Sequence, residues 1–318
     1  MDCLLNKLVT AYGVSGREEA VRQVIREELL EVNCHIREDK MGNIIVKLGA
    51  GEEKIMFCAH MDQIGVIVTY IENSGIVRVG SVGDFKLVDM IHNFVEFSNG
   101  TVGKLCASKE NPTIEDMYID LGLNSREEVL KLVKEGDTAR FIMAYNTLGG
   151  KEIGPNFDDR IGCYVLLRMI KEFKESSKEV YFVFSTQKEL GGRGARAAAY
   201  AIEPDYCIVV DVEGTGDVPG GQGSLKLGEG PVVSIINKTL ILDHEVKEML
   251  DKAAEGAEIK LQYSISTENT DGGLIHKEVG GIKTGVVSIP CRYLHTVSEM
   301  ISMDDVEKTI KVLNNLLK

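Results

Sequence analysis

Two textures alternate along the sequence, and their order restricts the folds open to it. Apolar strand-like runs and amphipathic helical runs alternate at the start and again after Gly154, while the tract between them is built of short β-branched runs broken by glycines and polar turns. The first element is a helix expected from about Gly16 to Val32, with Ser15 as its cap, Glu18 three residues on, and Val21, Val24, Ile25 and Leu29 at helical spacing. Strand-like runs follow at Asn43–Leu48 and Lys54–Ala59, the second ending in Ala59-His60-Met61-Asp62. After Gly154 come a helix from about Arg160 to Phe173, the strand Val180–Thr186, an alanine-rich helix near Ala195–Ala201 and the strand Tyr206–Val212. Strands near Val232–Ile236, Lys260–Ser264 and Lys283–Ser288 precede a final helix after Ser302, with Asp305 three residues on. This alternation predicts an α/β fold, a mostly parallel sheet flanked by helices. The middle tract (Val66–Ile71, Gly75–Val79, Phe94–Phe97, Arg140–Met143, and a short helix after Asn124 capped through Glu127) predicts a small β-rich domain inserted into that fold. The expected division is a discontinuous domain over 1–65 and 152–318 and an insertion over 66–151.

At 318 residues the chain has length enough for two such domains. Its formal net charge of −13 disfavours nucleic acid and anionic membrane as partners. No apolar run is long enough to span a membrane, and the N-terminus lacks a basic region followed by an apolar stretch, so a soluble cytoplasmic protein is expected. Seven cysteines are scattered without CxxC spacing, which reads as reduced thiols rather than a cysteine metal site or nucleophile.

Sites in parallel sheets form beyond the carboxyl ends of the strands. Reading those positions collects His60 and Asp62, Asp158 and Asp159 before a helix, Lys188 and Glu189, Asp211, and His295. Taken singly, each has an ordinary explanation: a packed histidine, an Asp-Asp pair that caps a helix, a solvated loop acid. Taken together at one sheet edge, imidazoles and carboxylates form a donor set that suits zinc, cobalt or manganese.

These segments resemble one family. His60-Met61-Asp62, Phe157-Asp158-Asp159-Arg160, Glu189-Leu190-Gly191-Gly192-Arg193-Gly194-Ala195, Asp211-Val212 through Asp217-Val218-Pro219-Gly220, Thr270-Asp271 and Arg292-Tyr293-Leu294-His295 are similar to the motifs of the tetrahedral aminopeptidases, which include glutamyl, leucyl and lysyl aminopeptidases and relatives labelled as cellulases. Tyr118-Ile119-Asp120-Leu121-Gly122 and Ser125-Arg126-Glu127-Glu128 extend the likeness through the insertion. The resemblance implies two divalent ions per subunit, zinc or cobalt, bridged by Asp158, with His60 and Asp211 completing one and Glu189 and His295 the other. Asp62 would orient the His60 imidazole. Two ions roughly 3.5–4 Å apart would activate water against a peptide carbonyl. The implied activity is release of N-terminal residues from peptides. The implied assembly is a homo-oligomer, dimers joined through the insertion into a dodecamer. Asp271 and Ser224 are candidate substrate contacts.

One position departs from the family. The residue before Glu189 is normally a glutamate that accepts the proton of the attacking water, and here it is Lys188. An ammonium accepts no proton, so Lys188 must act as a neutral amine, swing away, or leave the site silent. Gln63, where relatives often carry an acid, is a milder change. Three rival readings follow: a catalytically silent metal- or peptide-binding or assembly homologue, a glycoside hydrolase (disfavoured by the absence of tryptophan and only 6% aromatic residues), and a deacylase or carboxypeptidase on a related metal scaffold.

Overall fold

The computed structural model describes residues 2–266 and 268–318. In chain order the strands are β1 (His35–Glu38), β2 (Ile44–Gly49), β3 (Lys54–His60), β4 (Gly65–Ile71), β5 (Val77–Val82), β6 (Phe94–Phe97), β7 (Val102–Ala107), β8 (Met117–Asp120), β9 (Thr138–Phe141) and β10 (Asn146–Leu148), followed by β11 (Lys151–Gly154), β12 (Glu179–Ser185), β13 (Tyr206–Gly214), β14 (Val232–Ile236), β15 (Gln262–Ile265), β16 (Lys283–Arg292) and β17 (Glu299–Ser302). Among the described residues, eleven of them form one sheet in the order β1-β2-β12-β3-β13-β16-β17-β11-β10, with β14 on β16 and β15 on β14.

The four central strands, β12, β3, β13 and β16, run parallel, as the apolar runs predict. Along the strand path on either side the pairs are antiparallel, β1–β2 and β10–β11 because their connections leave no room for a crossover helix, while β15 runs parallel to β14 beside β16. The central strands are buried on both faces and therefore read as continuous apolar runs. Along β3 the side chains divide by turns: Ile55, Phe57 and Ala59 join one core, Met56 and Cys58 the other. Phe57 stacks on Phe182 at 5.5 Å across the strand pair. The helices Phe157–Glu172 and Met303–Asn315 cover the first face. The helix Arg193–Ile202 covers the second through Ala195, Ala198 and Ala199, whose short side chains let it lie close.

Strands β4 to β9 close into a separate barrel, in the order β4-β5-β8-β7-β6-β9, around a core of Val66, Val77, Val95, Leu105 and Ile119. Its strands end at Phe141, and β10 already belongs to the large sheet. The barrel is tied to the main body by the Tyr12 hydroxyl, which donates to the Thr138 carbonyl at 2.6 Å.

Several local expectations change. The first long helix starts at Glu19 rather than Gly16, because Gly16 is left-handed (φ 82°) and ends any helical path before it. Ser15 does not cap it; the Glu18 carboxylate instead accepts from Gly16 N at 2.7 Å and from Gln187 N at 3.1 Å. The short barrel helix (Arg126–Leu130) is capped by Ser125, which accepts from Glu128 N, so Glu127 plays no part. Asp305 turns inward to accept from Gly228 N (2.6 Å) and Gly230 N (2.8 Å) and does not cap the final helix. Among the described residues, no helix is long and apolar enough to cross a membrane.

Candidate metal centre

β3 ends at His60, and Ser185 at the end of β12 lies beside it in register. β13 places Val209 beside Cys58, so Asp211 stands two residues further on, at the level of His60. Asp158 comes from the opposite direction, in a non-helical turn (φ −77°, ψ 104°) just ahead of the helix proper. These three meet. One donor atom from each of His60, Asp158 and Asp211 lies within 4.8 Å of the other two, and all three side chains are buried. His60 Nε2 is 2.8 Å from Asp158 Oδ1, and His295 Nε2 is 3.0 Å from Asp158 Oδ2. The aspartate thus offers one oxygen to each imidazole.

The Asp-Asp pair divides its work. Asp159 is the helix cap: its Oδ1 accepts from Gly162 N at 3.0 Å, while its Oδ2 accepts from His60 N at 3.0 Å. Asp158 carries no capping bond and is left for the centre.

Lys188 does not swing away. Its Nζ is 3.1 Å from Glu189 Oε1 and 3.6 Å from Asp158 Oδ1. Burial works against the Lys188 ammonium, but the charges of Asp158, Glu189 and Asp211 outweigh it and hold it protonated well above the usual lysine range. Burial likewise opposes charge on Asp158, and the ammonium with the two imidazoles outweighs it, keeping this carboxyl well below the usual carboxylate range. Asp211 is raised, chiefly by burial.

Asp62 lies beside the His60 imidazole, with His60 Nδ1 3.5 Å from its Oδ1 and 3.1 Å from its backbone oxygen, and its carboxylate also accepts from Lys188 N (2.9 Å) and Glu189 N (3.0 Å). Glu299 does the same on the other side and was not expected from the sequence. Its Oε2 accepts from Asp158 N at 3.0 Å and its Oε1 from His295 N at 3.2 Å, while burial, and then the charge on Asp158, push it up to about 7. Nothing in a sequence marks an acid that bonds to backbone amides, apart from its position four residues after His295.

The loop that carries Lys188 and Glu189 owes its shape to glycine at two points. Gly194 opens the helix after it where any Cβ would strike Asn43 Oδ1 and the Thr186 backbone. Across from it, barrel residue Gly83 is left-handed (φ 86°), and a Cβ there would lie 2.7 Å from Glu189 Oε2. Three non-glycine residues beside the centre are also left-handed: Asn156, Gln187 and His295, at φ 60°, 56° and 60°.

Asp271 is buried beside the centre. Its Oδ2 accepts from Ser185 Oγ at 2.9 Å, its Oδ1 has no partner among the described residues, and burial raises it to about 6. With Lys188, Thr270 and Leu274 it lines a cavity of about 200 Å³. A larger cleft of about 610 Å³ reaches His295 between barrel residues Asp84–Lys86 and Glu213 and Tyr293 of the main body. Ser224 is not part of either; it is exposed and lines a separate depression with Lys226, Glu229 and Tyr263. Gln63 lies behind the centre, where its Oε1 accepts from the fully buried Arg160 at 2.7 Å.

The sequence pattern of a family described as M42 glutamyl aminopeptidase matches residues 42–312. A putative aminopeptidase of Acetivibrio thermocellus is 42% identical over 318 residues, covering 98% of this chain and 96% of that protein. Among solved structures, a TET aminopeptidase from the marine sediment archaeon Thaumarchaeota archaeon SCGC AB-539-E09 superposes with a TM-score of 0.94 at 29% identity, covering 99% of this chain and 96% of that one. A Pyrococcus horikoshii TET1 peptidase, which can assemble into a tetrahedron or a large octahedral shell, gives 0.91 at 31% identity, covering 99% and 98%.

Proposed function

This chain belongs to the M42 glutamyl aminopeptidase family, and from that premise we propose that its metal-dependent peptide hydrolysis is carried out at a centre built on Asp158, one N-terminal residue at a time. The observation that carries this reading is the meeting of His60, Asp158 and Asp211 at the ends of the parallel strands. Imidazole nitrogen with carboxylate oxygen is a donor set for zinc or cobalt. His60, Asp158 and Asp211 would hold one ion; the second Asp158 oxygen, Glu189 and His295 are the donors offered to another. Such an ion supplies Lewis acidity to the scissile carbonyl and lowers the pKa of the attacking water.

The chain's own residues do the positioning. Asp62, Asp159 and Glu299 hold the backbone amides of Lys188, Glu189, His60, Asp158 and His295, so the donors are fixed from behind. The cleft of about 610 Å³ reaching His295 offers room for a peptide end. While Lys188 is an ammonium, no side chain stands in the place of the general base, a function worth about 10²–10⁴-fold, and turnover is correspondingly slow.

The same reading includes a homo-oligomer, with dimers joined through the barrel into a dodecamer. The barrel supports it by exposing Val88, Phe94 and Val102, an apolar set a lone subunit would leave in water.

The test is hydrolysis of leucyl-, lysyl- and glutamyl-anilides and of matched N-acetylated peptides. Free-amine substrates should be cleaved, a chelator should abolish cleavage, and zinc or cobalt should restore it. Equal cleavage of acetylated substrates would assign a deacylase or endopeptidase instead, and no turnover with ions bound would favour the assembly homologue.

A further inference from the structure

The cavity of about 200 Å³ beside the centre is much smaller than the cleft of about 610 Å³ that reaches His295. A space of that size suits one side chain rather than a length of peptide. It adjoins the centre through Lys188, which lines it and whose Nζ lies 3.6 Å from Asp158 Oδ1. Gly191 and Gly192, on the loop that carries Glu189, line it too. Glycine keeps the space open: a Cβ on Gly192 would lie 2.6 Å from Leu274 Cδ1 and 2.9 Å from Asp271 Oδ1, both of which belong to residues of the lining.

Asp271 is the most deeply buried polar side chain of that lining, at 2% exposed. Its Oδ2 is taken by the Ser185 hydroxyl, whereas its Oδ1 faces Gly192 and has no partner among the described residues. The neighbouring polar groups are already engaged. Thr270 Oγ1 accepts from Asn237 Nδ2 at 3.2 Å, Thr239 Oγ1 donates to Asn237 Oδ1 at 3.4 Å, and Lys188 Nζ is 3.1 Å from Glu189 Oε1. One acceptor is therefore left open inside the cavity. A buried acceptor without a donor costs free energy, and a ligand that brings the donor recovers it.

We infer that this cavity receives the side chain of the peptide's N-terminal residue and that Asp271, through Oδ1, selects side chains ending in an N–H donor, the ammonium of lysine or the carboxamide of glutamine. This rests on the aminopeptidase reading above and adds to it which peptides are taken. Methionine, unbranched and of similar length, leaves the oxygen unpaired. Glutamate sets a second carboxylate against it. The metal centre holds the peptide end in the same way for all four, so the discrimination falls to Asp271.

The experiment compares lysine, glutamine, methionine and glutamate on the zinc-loaded protein. Hydrolysis of the four anilides gives kcat/KM, and calorimetry with the four α-amides gives binding that needs no turnover. Lysine and glutamine should exceed methionine by about 10–100-fold in both, with glutamate last. Lysine ahead of glutamine assigns the selection to charge, and the reverse to the neutral amide; both sustain the inference. In Asp271→Asn the Ser185 hydroxyl still has an oxygen to donate to, so the new NH2 group faces the cavity. The lysine-to-methionine ratio should then fall to about threefold or less, and glutamate should overtake lysine. Leu274→Phe, which narrows the cavity and leaves the carboxylate alone, should lower lysine relative to alanine. Ratios within one protein do not depend on how much of it is folded or loaded with metal. Methionine equal to lysine and glutamine, glutamate first, or an unchanged ratio in Asp271→Asn would overturn the inference, and cleavage in those cases would leave the aminopeptidase reading standing. The expected binding order without cleavage would sustain the inference and count against turnover. Failure to bind any of the amides would overturn the inference.

Discussion

His60 and His295 approach the same aspartate from opposite sides, yet the two sides are built differently. On the His60 side the donors stand on strands: His60 closes β3, Asp211 lies within β13, and both are buried. On the His295 side they stand on loops: Glu189 follows β12, His295 follows β16 with a left-handed backbone, and its side chain is 26% exposed. The strand side gathers three donors about one point, and the loop side gathers an ammonium and its counter-charge. A hydrogen-bonded strand fixes a side chain's direction by its register alone, whereas a loop needs further contacts, here supplied by Asp62 and Glu299. Position on the rigid element and fitness for an ion go together.

The largest effect should come from breaking the strand side. His60→Ala should remove the bound ion and lower hydrolysis of aminoacyl-anilides by about 10³-fold or more. His295→Ala should leave the ion at His60, Asp158 and Asp211 in place and lower its affinity only about tenfold, because the His295 contact there is to Asp158. Equal losses in the two variants, measured by competition with a fluorescent chelator, would show that the sides are equivalent and erase the contrast.

A smaller effect separates the donors from what holds them. Glu299→Gln keeps the size of the side chain but weakens its two amide contacts, to Asp158 N and His295 N. Zinc affinity should fall about tenfold, with the thermal unfolding of the metal-free protein little changed. A variant with unaltered zinc affinity would mean that Asp158 keeps its place without Glu299.

The same division explains what could be read from the sequence. The strand side was legible because a strand buried on both faces leaves an unbroken apolar run, and the polar residue that ends it is conspicuous: His60 after Ile55–Ala59 and Asp211 after Cys207–Val210. Position alone collects Asp158 and Glu189, before a helix and after Val180–Thr186, and only the family-like motifs tell Asp158 from Asp159 as the ligand. The conformation of the loops was not legible. Left-handed Gln187 and His295 have side chains that give no hint of such a backbone, and glycine, the usual marker, is absent at both. Asp159 and Glu299 were missed as supports because they act on main-chain amides, which carry no sequence signature. The antiparallel flanks escaped notice for a related reason. Strands of three or four residues such as β10 and β17 bury too few side chains to show a period. The inward turn of Lys188 was equally hidden, since a lysine on a loop ordinarily faces solvent, and only the three carboxylates around it reverse that preference.

One ion pair couples the two sides. Arg292, at the end of β16 and three residues before His295, holds Asp217 on the loop that follows β13, with its Nε 3.0 Å from Oδ1 and an Nη 2.6 Å from Oδ2. Asp217 also accepts from Thr215 Oγ1 and Leu227 N. The guanidinium, and then these bonds, hold the Asp217 carboxyl well below the usual carboxylate range. A carboxyl whose folded pKa is depressed adds stability above its unfolded pKa of about 3.9, and that contribution disappears as pH falls toward the folded value. Asp217→Asn should therefore lower unfolding stability by about 1 kcal/mol at pH 7, with a deficit that shrinks steadily below pH about 4 in urea titrations. Because the pair joins the strand carrying Asp211 to the one leading to His295, the variant should also loosen His295 more than His60, visible as a larger gain in amide exchange after Arg292 than at the end of β3. A uniform gain at both places would mean that the two sides of the centre move as one body and differ only in the charge they carry.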